Sequence, residues 1–218
     1  MSSIKIALIA DVHANIYALQ AFLDFLSQHP DIEQVWHLGD FLQVGPHPAE
    51  VADLLLDDPR FLTVMGNNER ALLRRDPAGF PVEEIAHQDW TIAQLGEKRL
   101  ARIGELPDGL LLEVGHRRVL LVHEQPPAGG EMHEADLICC GHTHLPSYET
   151  RGTVGIMNPG TLGCAHGHQS ASFGVVEFTE SSVAIRYHAI PYDRLALKQD
   201  YLQRGVPDCD LIFSMIGL

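Results

Sequence analysis

The chain has 218 residues, 45% of them hydrophobic, which is enough to bury one substantial core and favours a single domain over residues 1–218. A mean hydropathy near zero and the lack of an apolar run of about 18 residues argue against a helical membrane span, so no membrane partner is expected. The net charge of −14 provides no basic stripe to displace counterions, which argues against extended nucleic acid as a partner.

The amino terminus and the cysteines indicate the compartment. The chain enters an apolar segment at residue 4, without the basic and hydrophobic regions of a secretory signal. Cys139 and Cys140 are adjacent within an apolar segment, which is typical of reduced, buried thiols and not of a disulfide framework. We therefore expect a cytoplasmic protein.

In chain order, the first half of the sequence alternates apolar strands with amphipathic helices. The pattern predicts strands at residues 4–10, 34–38 and 61–64, and helices at 16–28, 49–56 and about 69–75. The strands are too apolar to be half solvated, which is typical of an open α/β sheet. Residues from about 76 to 106 then form a predicted helical insertion, because apolar side chains recur there at helical spacing.

The second half is rich in strands. The pattern predicts a hairpin at residues 110–114 and 118–123, and then an apolar strand at 137–140 that stops at a glycine. Short strands are predicted near 147–150, 155–158, 172–178 and 182–188, followed by a helix at 193–203 and an apolar tail at 211–218. The predicted fold class is α/β, a sandwich of two mixed β-sheets packed face to face and flanked by helices.

Polar side chains of the metal-ligating type stand where the predicted strands end. The set comprises Asp11, His13, Asp40, Asn67, His123, His142 and His144. Their separations are too irregular for short zinc-finger clips, so only a folded sheet can bring them together. Carboxylate, amide and imidazole ligands in combination favour manganese, iron or zinc over magnesium or calcium. Seven ligands exceed the needs of one ion, which indicates two ions that share a bridging carboxylate.

An ordinary structural role is the alternative for each of these residues. A single histidine at a strand end, such as His123, is as often structural as functional. For the whole set this alternative is disfavoured, because four neighbouring imidazoles repel one another when protonated and a hydrophobic core gains nothing from them.

Five short motifs in this order resemble the successive motifs of the calcineurin-like metallophosphoesterases, and their spacing resembles the small bacterial and archaeal phosphodiesterase-type members. The motifs are Asp11-Val12-His13-Ala14-Asn15, Gly39-Asp40, Gly66-Asn67-Asn68-Glu69, His123 and Gly141-His142-Thr143-His144. Each motif alone is weak evidence for the family, but five motifs in the family's order are highly specific to it. The resemblance extends from residue 6 to about residue 163.

The resemblance implies a site with two divalent metal ions, manganese first, with iron, zinc, nickel or cobalt as alternatives. One ion would be held by Asp11, His13, Asp40 and His144, and the other by Asp40, Asn67, His123 and His142. Asp40 would bridge the two ions and so count as catalytic. The implied reaction is hydrolysis of a phosphate ester by a metal-bridging hydroxide.

One departure from the family pattern bears on the substrate. Many members have histidine after Gly-Asn, where it contacts phosphate and can protonate the leaving group, but this chain has Asn68. An amide can bind a phosphate oxygen but is no useful acid near neutral pH, so Asn68 is a candidate catalytic and substrate-binding residue. His166 and His168 either line the substrate pocket and replace the missing acid, or are solvated loop residues.

The leading hypothesis is hydrolysis of small soluble phosphate esters, with phosphodiesters preferred. The alternatives are a phosphomonoesterase that acts on nucleotides or phosphoproteins, and a non-catalytic scaffold with this fold. The sequence leaves a homo-oligomer open.

Overall fold

Two five-stranded sheets packed face to face form the body of the protein. A computed structural model of the chain describes residues 3–75, 82–127, 135–164 and 170–218. The strands are β1 (Ile4–Ile9), β2 (Ile32–His37), β3 (Phe61–Thr63), β4 (Gly109–Val114), β5 (Arg117–Val122), β6 (Leu137–Cys139), β7 (Ser147–Arg151), β8 (Val154–Asn158), β9 (Ser170–Phe178) and β10 (Val183–Pro191). The helices are α1 (Ile16–Ser27), α2 (Pro48–Asp57), α3 (Asn67–Arg74), α4 (Val82–Ile103), α5 (Arg194–Gln203) and α6 (Cys209–Ile216).

Both sheets are mixed, and each contains three neighbouring parallel strands. The first sheet has the order β10-β9-β1-β2-β3, in which β1, β2 and β3 are parallel. The second has the order β4-β5-β6-β8-β7, in which β5, β6 and β8 are parallel and the two edge strands are antiparallel. Within each parallel set the carboxyl ends meet at one edge of the sheet, so the loops that follow these strands are brought together.

Helix α1 shows how the local sequence leads the chain away from the site. The side chain of Asn15 accepts a hydrogen bond from the backbone N–H of Ala18 at 3.1 Å, which caps the first turn. The apolar residues Leu19, Phe22 and Leu26 follow at helical spacing, and all three are buried. The helix therefore begins directly after the first metal-type residues and packs its apolar stripe on the outer face of the first sheet.

Two hydrophobic layers hold the sandwich together. The outer layer packs α1, α2 and α4 against one face of the first sheet, through residues such as Phe22, Val51 and Leu95. The layer between the sheets includes Trp36 from β2 and Met157 from β8, so it joins the two halves of the chain. The rigid support of the strand ends depends on both layers.

The structure confirms the predicted two-sheet fold, with the boundaries of most elements displaced by one to three residues. The predicted helical insertion contains α4, which is interrupted at Gly96, while residues 76–81 lie outside the described residues. The sequence analysis assigned no secondary structure to the apolar tail at residues 211–218, and that prediction was incomplete. Most of the tail belongs to α6, because Ile212, Phe213 and Ile216 recur at helical spacing and are buried. The single-domain organisation stays a prediction.

None of the helices in the described part of the chain is long and apolar enough to cross a membrane.

Replacing Trp36 by alanine should lower the free energy of unfolding by about 3–5 kcal/mol, because the indole is 1% exposed and fills space between the two sheets. Urea denaturation followed by circular dichroism measures this change. The control is Tyr148→Ala, which removes an aromatic side chain that is 53% exposed on edge strand β7. An equal loss in both variants would contradict the inter-sheet core.

Candidate metal centre

The structure brings the seven predicted ligand residues to one edge of the sandwich, at or just after strand ends. Asp11 and Asp40 follow β1 and β2, and both carboxylates are buried. Asn67 begins α3, while His123, His142 and His144 follow β5 and β6 in the second sheet. Both sheets therefore contribute residues to the cluster, whereas the sequence analysis predicted only that a folded sheet would bring them together.

The backbone at this edge is strained. Five of the seven candidate ligands have positive φ angles, which residues other than glycine adopt rarely. The angles are 53° for Asp11, 46° for His13, 57° for Asp40, 70° for His142 and 61° for His144. Each such residue costs about 1–3 kcal/mol, and strain of this kind concentrates at functional sites.

The first group of side chains surrounds Asp11. The Nε2 atoms of His13 and His144 lie 3.1 Å apart, and His144 Nε2 lies 3.4 Å from Asp11 Oδ1. The Nδ1 atom of His144 is 3.1 Å from the carbonyl oxygen of Cys164. If Nδ1–H donates to this carbonyl, the Nε2 lone pair points into the cluster, which is the usual way of orienting a metal-binding imidazole.

The second group surrounds the side-chain oxygen of Asn67. Asn67 Oδ1 lies 2.8 Å from His123 Nε2 and 2.9 Å from His142 Nδ1, and His123 Nε2 lies 3.3 Å from Asp40 Oδ2. When His123 is protonated, its Nε2–H donates to Asn67 Oδ1, whereas neutral rings would favour the opposite orientation of the Asn67 amide, with its nitrogen as the donor. His123 Nδ1 is 2.7 Å from the carbonyl oxygen of Leu38, so its Nε2 also faces the cluster.

Asp40 joins the two groups. Potential ligand atoms of Asp11, His13 and Asp40 lie within 4.8 Å of one another, and so do those of Asp40, His123 and His142. The set of donors fits divalent cations, because carboxylate and imidazole ligand atoms converge in both groups, and the second group adds the side-chain oxygen of Asn67.

Cys164 is an addition that the sequence analysis missed. Its thiol is buried and lies within 4.8 Å of potential ligand atoms of His13 and His144. A lone cysteine gives no sequence signal of such a neighbourhood.

The protonation of the imidazoles follows their surroundings. Burial lowers the pKa of His13 to about 4. Burial opposes protonation of His123 and His144 as well, but the carboxylates of Asp40 and Asp11 raise their pKa values to about 9 and about 10. Each of the two carboxylates thus has an imidazole nitrogen close to it, His123 Nε2 at 3.3 Å from Asp40 and His144 Nε2 at 3.4 Å from Asp11.

The loop that carries Asp40 is held by the buried carboxylate of Glu69. Its Oε2 accepts hydrogen bonds from the backbone N–H groups of Asp40 and Gly66 at 2.8 and 2.9 Å. Its Oε1 accepts from Phe41 and Leu42 at 2.9 and 3.2 Å. Burial and the nearby Asp40 raise the pKa of Glu69 to about 7, whereas the four N–H groups favour its ionised form.

Gly66 is required by the closeness of these groups. A Cβ atom at this position would collide with the side chain and backbone nitrogen of Asp40 and with the carboxylate of Glu69. The end of β8 and the segment after it give similar support from the other sheet. Asn158 donates to the carbonyl oxygen of Gly141, and Thr161 donates to that of Asp11 at 2.8 Å.

Of the three predicted substrate-contacting residues, Asn68 is among the residues that the structure describes. The backbone N–H of Asn68 donates to Asp40 Oδ1 at 2.9 Å, and its side-chain oxygen lies 3.2 Å from the Asn67 amide nitrogen. Asn68 is therefore at the rim of the cluster. His166 and His168 lie outside the described residues.

Residues 4–181 match the profile of the calcineurin-like phosphoesterase superfamily domain. The chain belongs to the calcineurin-like phosphoesterase superfamily. It is therefore a phosphoesterase, and membership of this superfamily implies dependence on divalent metal ions.

Known relatives agree with this assignment. Phosphodiesterase YfcE from Escherichia coli K12 is 26% identical over 79% of this chain and 87% of its own. An uncharacterised protein from Methanocaldococcus jannaschii is 24% identical over 93% of this chain and 94% of its own. A metallophosphoesterase structure from Sphaerobacter thermophilus shares the fold over the full length of both chains, with a TM-score of 0.76 and 23% identity.

Glu69→Gln should destabilise the metal-free protein by at least about 2 kcal/mol, because an NH₂ group would then face two backbone N–H donors that have no other acceptor in the described contacts. It should also weaken metal binding, since Asp40 is displaced with its loop. Urea denaturation and metal titration measure the two effects. The matched control is Glu97→Gln, whose side chain is 84% exposed. Wild-type stability in Glu69→Gln would show that the four hydrogen bonds do not hold the loop.

Proposed function

We propose that this phosphoesterase uses two divalent metal ions to hydrolyse small phosphate esters and that it prefers phosphodiesters. The observation that carries the proposal is the position of the Asp40 carboxylate, which has neighbours from both groups of candidate ligands. The first ion would have Asp11, His13, Asp40 and His144 as ligands, and the second Asp40, Asn67, His123 and His142. Asp40 would contact both ions and hold them together.

The chemistry of the ligands supports a preference among metals. Four imidazoles and one amide accompany two carboxylates, a combination that suits manganese, iron, cobalt, nickel or zinc better than magnesium. We propose manganese as the first choice. The buried carboxylates of Asp11, Asp40 and Glu69 bring at most three negative charges, so two divalent ions would still leave a net positive charge that attracts a phosphate ester.

The roles of the chain's own residues follow from their positions. Divalent ions, when bound, act as Lewis acids and lower the pKa of water to about 7. Glu69 keeps Asp40 in place through the loop, and the oriented rings of His123 and His144 keep their Nε2 atoms directed at the ions. Asn68 can donate its amide N–H to a phosphoryl oxygen, which orients the ester without transferring a proton.

The preference for diesters rests on Asn68 and on the relatives. An amide cannot protonate a leaving group, so esters with acidic leaving groups should react faster than alkyl monoesters. The relative YfcE is named a phosphodiesterase, which agrees with this direction. Phosphomonoester hydrolysis is the second candidate, and it requires an acid from elsewhere, for which His166 and His168 are the candidates.

Asp40→Asn tests the two-metal site. It keeps the shape of the side chain but removes the charge between the ions, whose mutual repulsion then rises. After reconstitution with manganese, metal content should fall from two ions per chain to one or fewer. Turnover of bis(p-nitrophenyl) phosphate should fall by at least about 100-fold. Elemental analysis and a colorimetric assay measure these quantities.

The matched control for this experiment is Asp108→Asn, because the Asp108 side chain is 80% exposed and its recorded ion-pair partner is Arg70 on the surface. It should bind and turn over like the wild type. Two ions per chain and full turnover in Asp40→Asn would refute the bridging role. Equal reactivation by magnesium at the same concentration would count against the assigned ligands.

Asn68→His tests whether the wild-type site lacks a general acid for the leaving group. General acid catalysis is worth about 10²–10⁴-fold, so the variant should hydrolyse monoesters with poor leaving groups at least about tenfold faster than the wild type. Rates for a series of leaving groups should depend steeply on leaving-group pKa in the wild type and less steeply in the variant. If His166 or His168 already donates the proton, Asn68→His changes little and His166→Ala or His168→Ala slows poor leaving groups selectively. A shallow dependence that is the same in all variants would contradict both accounts.

A further inference from the structure

A pocket of about 280 Å³ lies beside the metal centre and is not used by the chemistry described above. We call it the Asn68 pocket. Its lining includes Gln43, Val44, Asn68, Asp208, Ile212 and Met215. It therefore lies between the loop after β2, the first turn of α3 and the carboxyl-terminal helix α6. The family profile ends at residue 181, so the wall contributed by α6 is outside the matched region.

The wall next to Asn68 is strained and held in place. Val44 has a φ angle of 78°, which is a genuine outlier for a β-branched residue. Its backbone N–H donates to Nε2 of His87 in α4 at 2.9 Å. A backbone conformation of this cost persists only where its surroundings impose it, and it concentrates at ligand sites.

Helix α5 fastens the same loop from the other side. The Asp200 carboxylate accepts a hydrogen bond from the Tyr17 hydroxyl at 2.8 Å and lies 2.7 Å from Nε2 of the buried His47. Arg204, at the end of α5, contacts the carbonyl oxygen of Pro46 at 3.2 Å and pairs with Glu50 in α2. The pocket is thus formed before any ligand binds, as small-molecule sites generally are.

The lining selects for an uncharged group. Val44, Ile212 and Met215 form apolar walls, and Ile212 is buried. The buried amide nitrogen of Gln43 has no hydrogen-bond partner among the described residues, so it can turn toward a ligand oxygen or nitrogen without losing a bond. The carboxylate of Asp208 repels a second anion. A single ring fits the volume, which is at the lower limit of ligand pockets.

Asn68 connects this pocket with the metal centre. Its backbone nitrogen is bonded to Asp40, while the residue also lines the pocket. An ester whose phosphoryl group lies at the ions can therefore direct one substituent past Asn68. We propose that the Asn68 pocket binds the uncharged, ring-sized organic group of a phosphodiester, an inference that rests on the proposed function.

Two dialkyl phosphates test this inference on the full-length, zinc-loaded protein. Dimethyl phosphate and benzyl methyl phosphate carry the same charge and differ chiefly in the benzyl ring. Both have similarly poor leaving groups, so they hydrolyse slowly and serve as ligands. The ³¹P signal reports binding of the phosphoryl group and yields the affinity. The ¹³C-labelled methyl group of Met215, assigned with Met215→Leu, reports the pocket through the ring current of the benzyl group.

Benzyl methyl phosphate should bind at least about tenfold more tightly than dimethyl phosphate and shift the Met215 methyl signal, because its ring leaves water on binding. Met215→Glu should reduce the ratio of the two affinities at least fivefold. The matched control is Leu202→Glu, which changes a 61% exposed leucine of α5 and should keep the wild-type ratio. Carboxymethyl methyl phosphate should show no gain over dimethyl phosphate, because its substituent is anionic.

The possible failures are distinguishable. Equal affinities for the benzyl and methyl esters, or an unshifted Met215 signal with the benzyl ester bound, would refute the pocket and leave the proposed phosphodiesterase intact. If neither ³¹P signal responds to zinc-loaded protein, the proposed function fails, and the inference fails with it.

Discussion

The buried carboxylate of Glu69 joins the parts of the chain on which the site depends. Its four hydrogen bonds reach the loop after β2 and the backbone just before α3, so Asp40, Asn67 and Asn68 have fixed relative positions. Four backbone N–H groups occupy the acceptor positions of this carboxylate, and they favour its ionised form against burial and the nearby Asp40. Displacing this carboxylate would disturb Asp40 and Asn68 at the same time, the residues proposed to bridge the ions and to contact the substrate.

The centre concentrates features that would destabilise an ordinary core. Two buried carboxylates, four imidazoles and five left-handed residues meet where the two sheets end. The hydrophobic layer between the sheets and the helices outside them supplies the stability that offsets this strain. The acidic net charge is no obstacle to an anionic ester, because the field within the site is determined by the ions and not by the distant surface charges.

The proposed metal chemistry and the proposed choice of organic group depend on different parts of the chain. The candidate ligands all lie within residues 4–181, the region that matches the superfamily. The Asn68 pocket gains its apolar wall from α6, beyond that region, and α5 anchors the loop opposite it. In this arrangement the terminal helices can change the organic group that is accepted while the ligand set stays the same.

The sequence by itself determined the fold class and the candidate ligands, because hydrophobic periodicity is local and metal-type side chains stand at strand ends such as Asp11 and His144. It also revealed Asn68 as a departure from the family pattern. Only the tertiary structure decided that Glu69 braces the Asp40 loop, that Cys164 adjoins His13, and that α6 lies beside Asn68. These relations join residues far apart in the chain, and their contacts depend on how the sheets and helices pack, which no local pattern encodes.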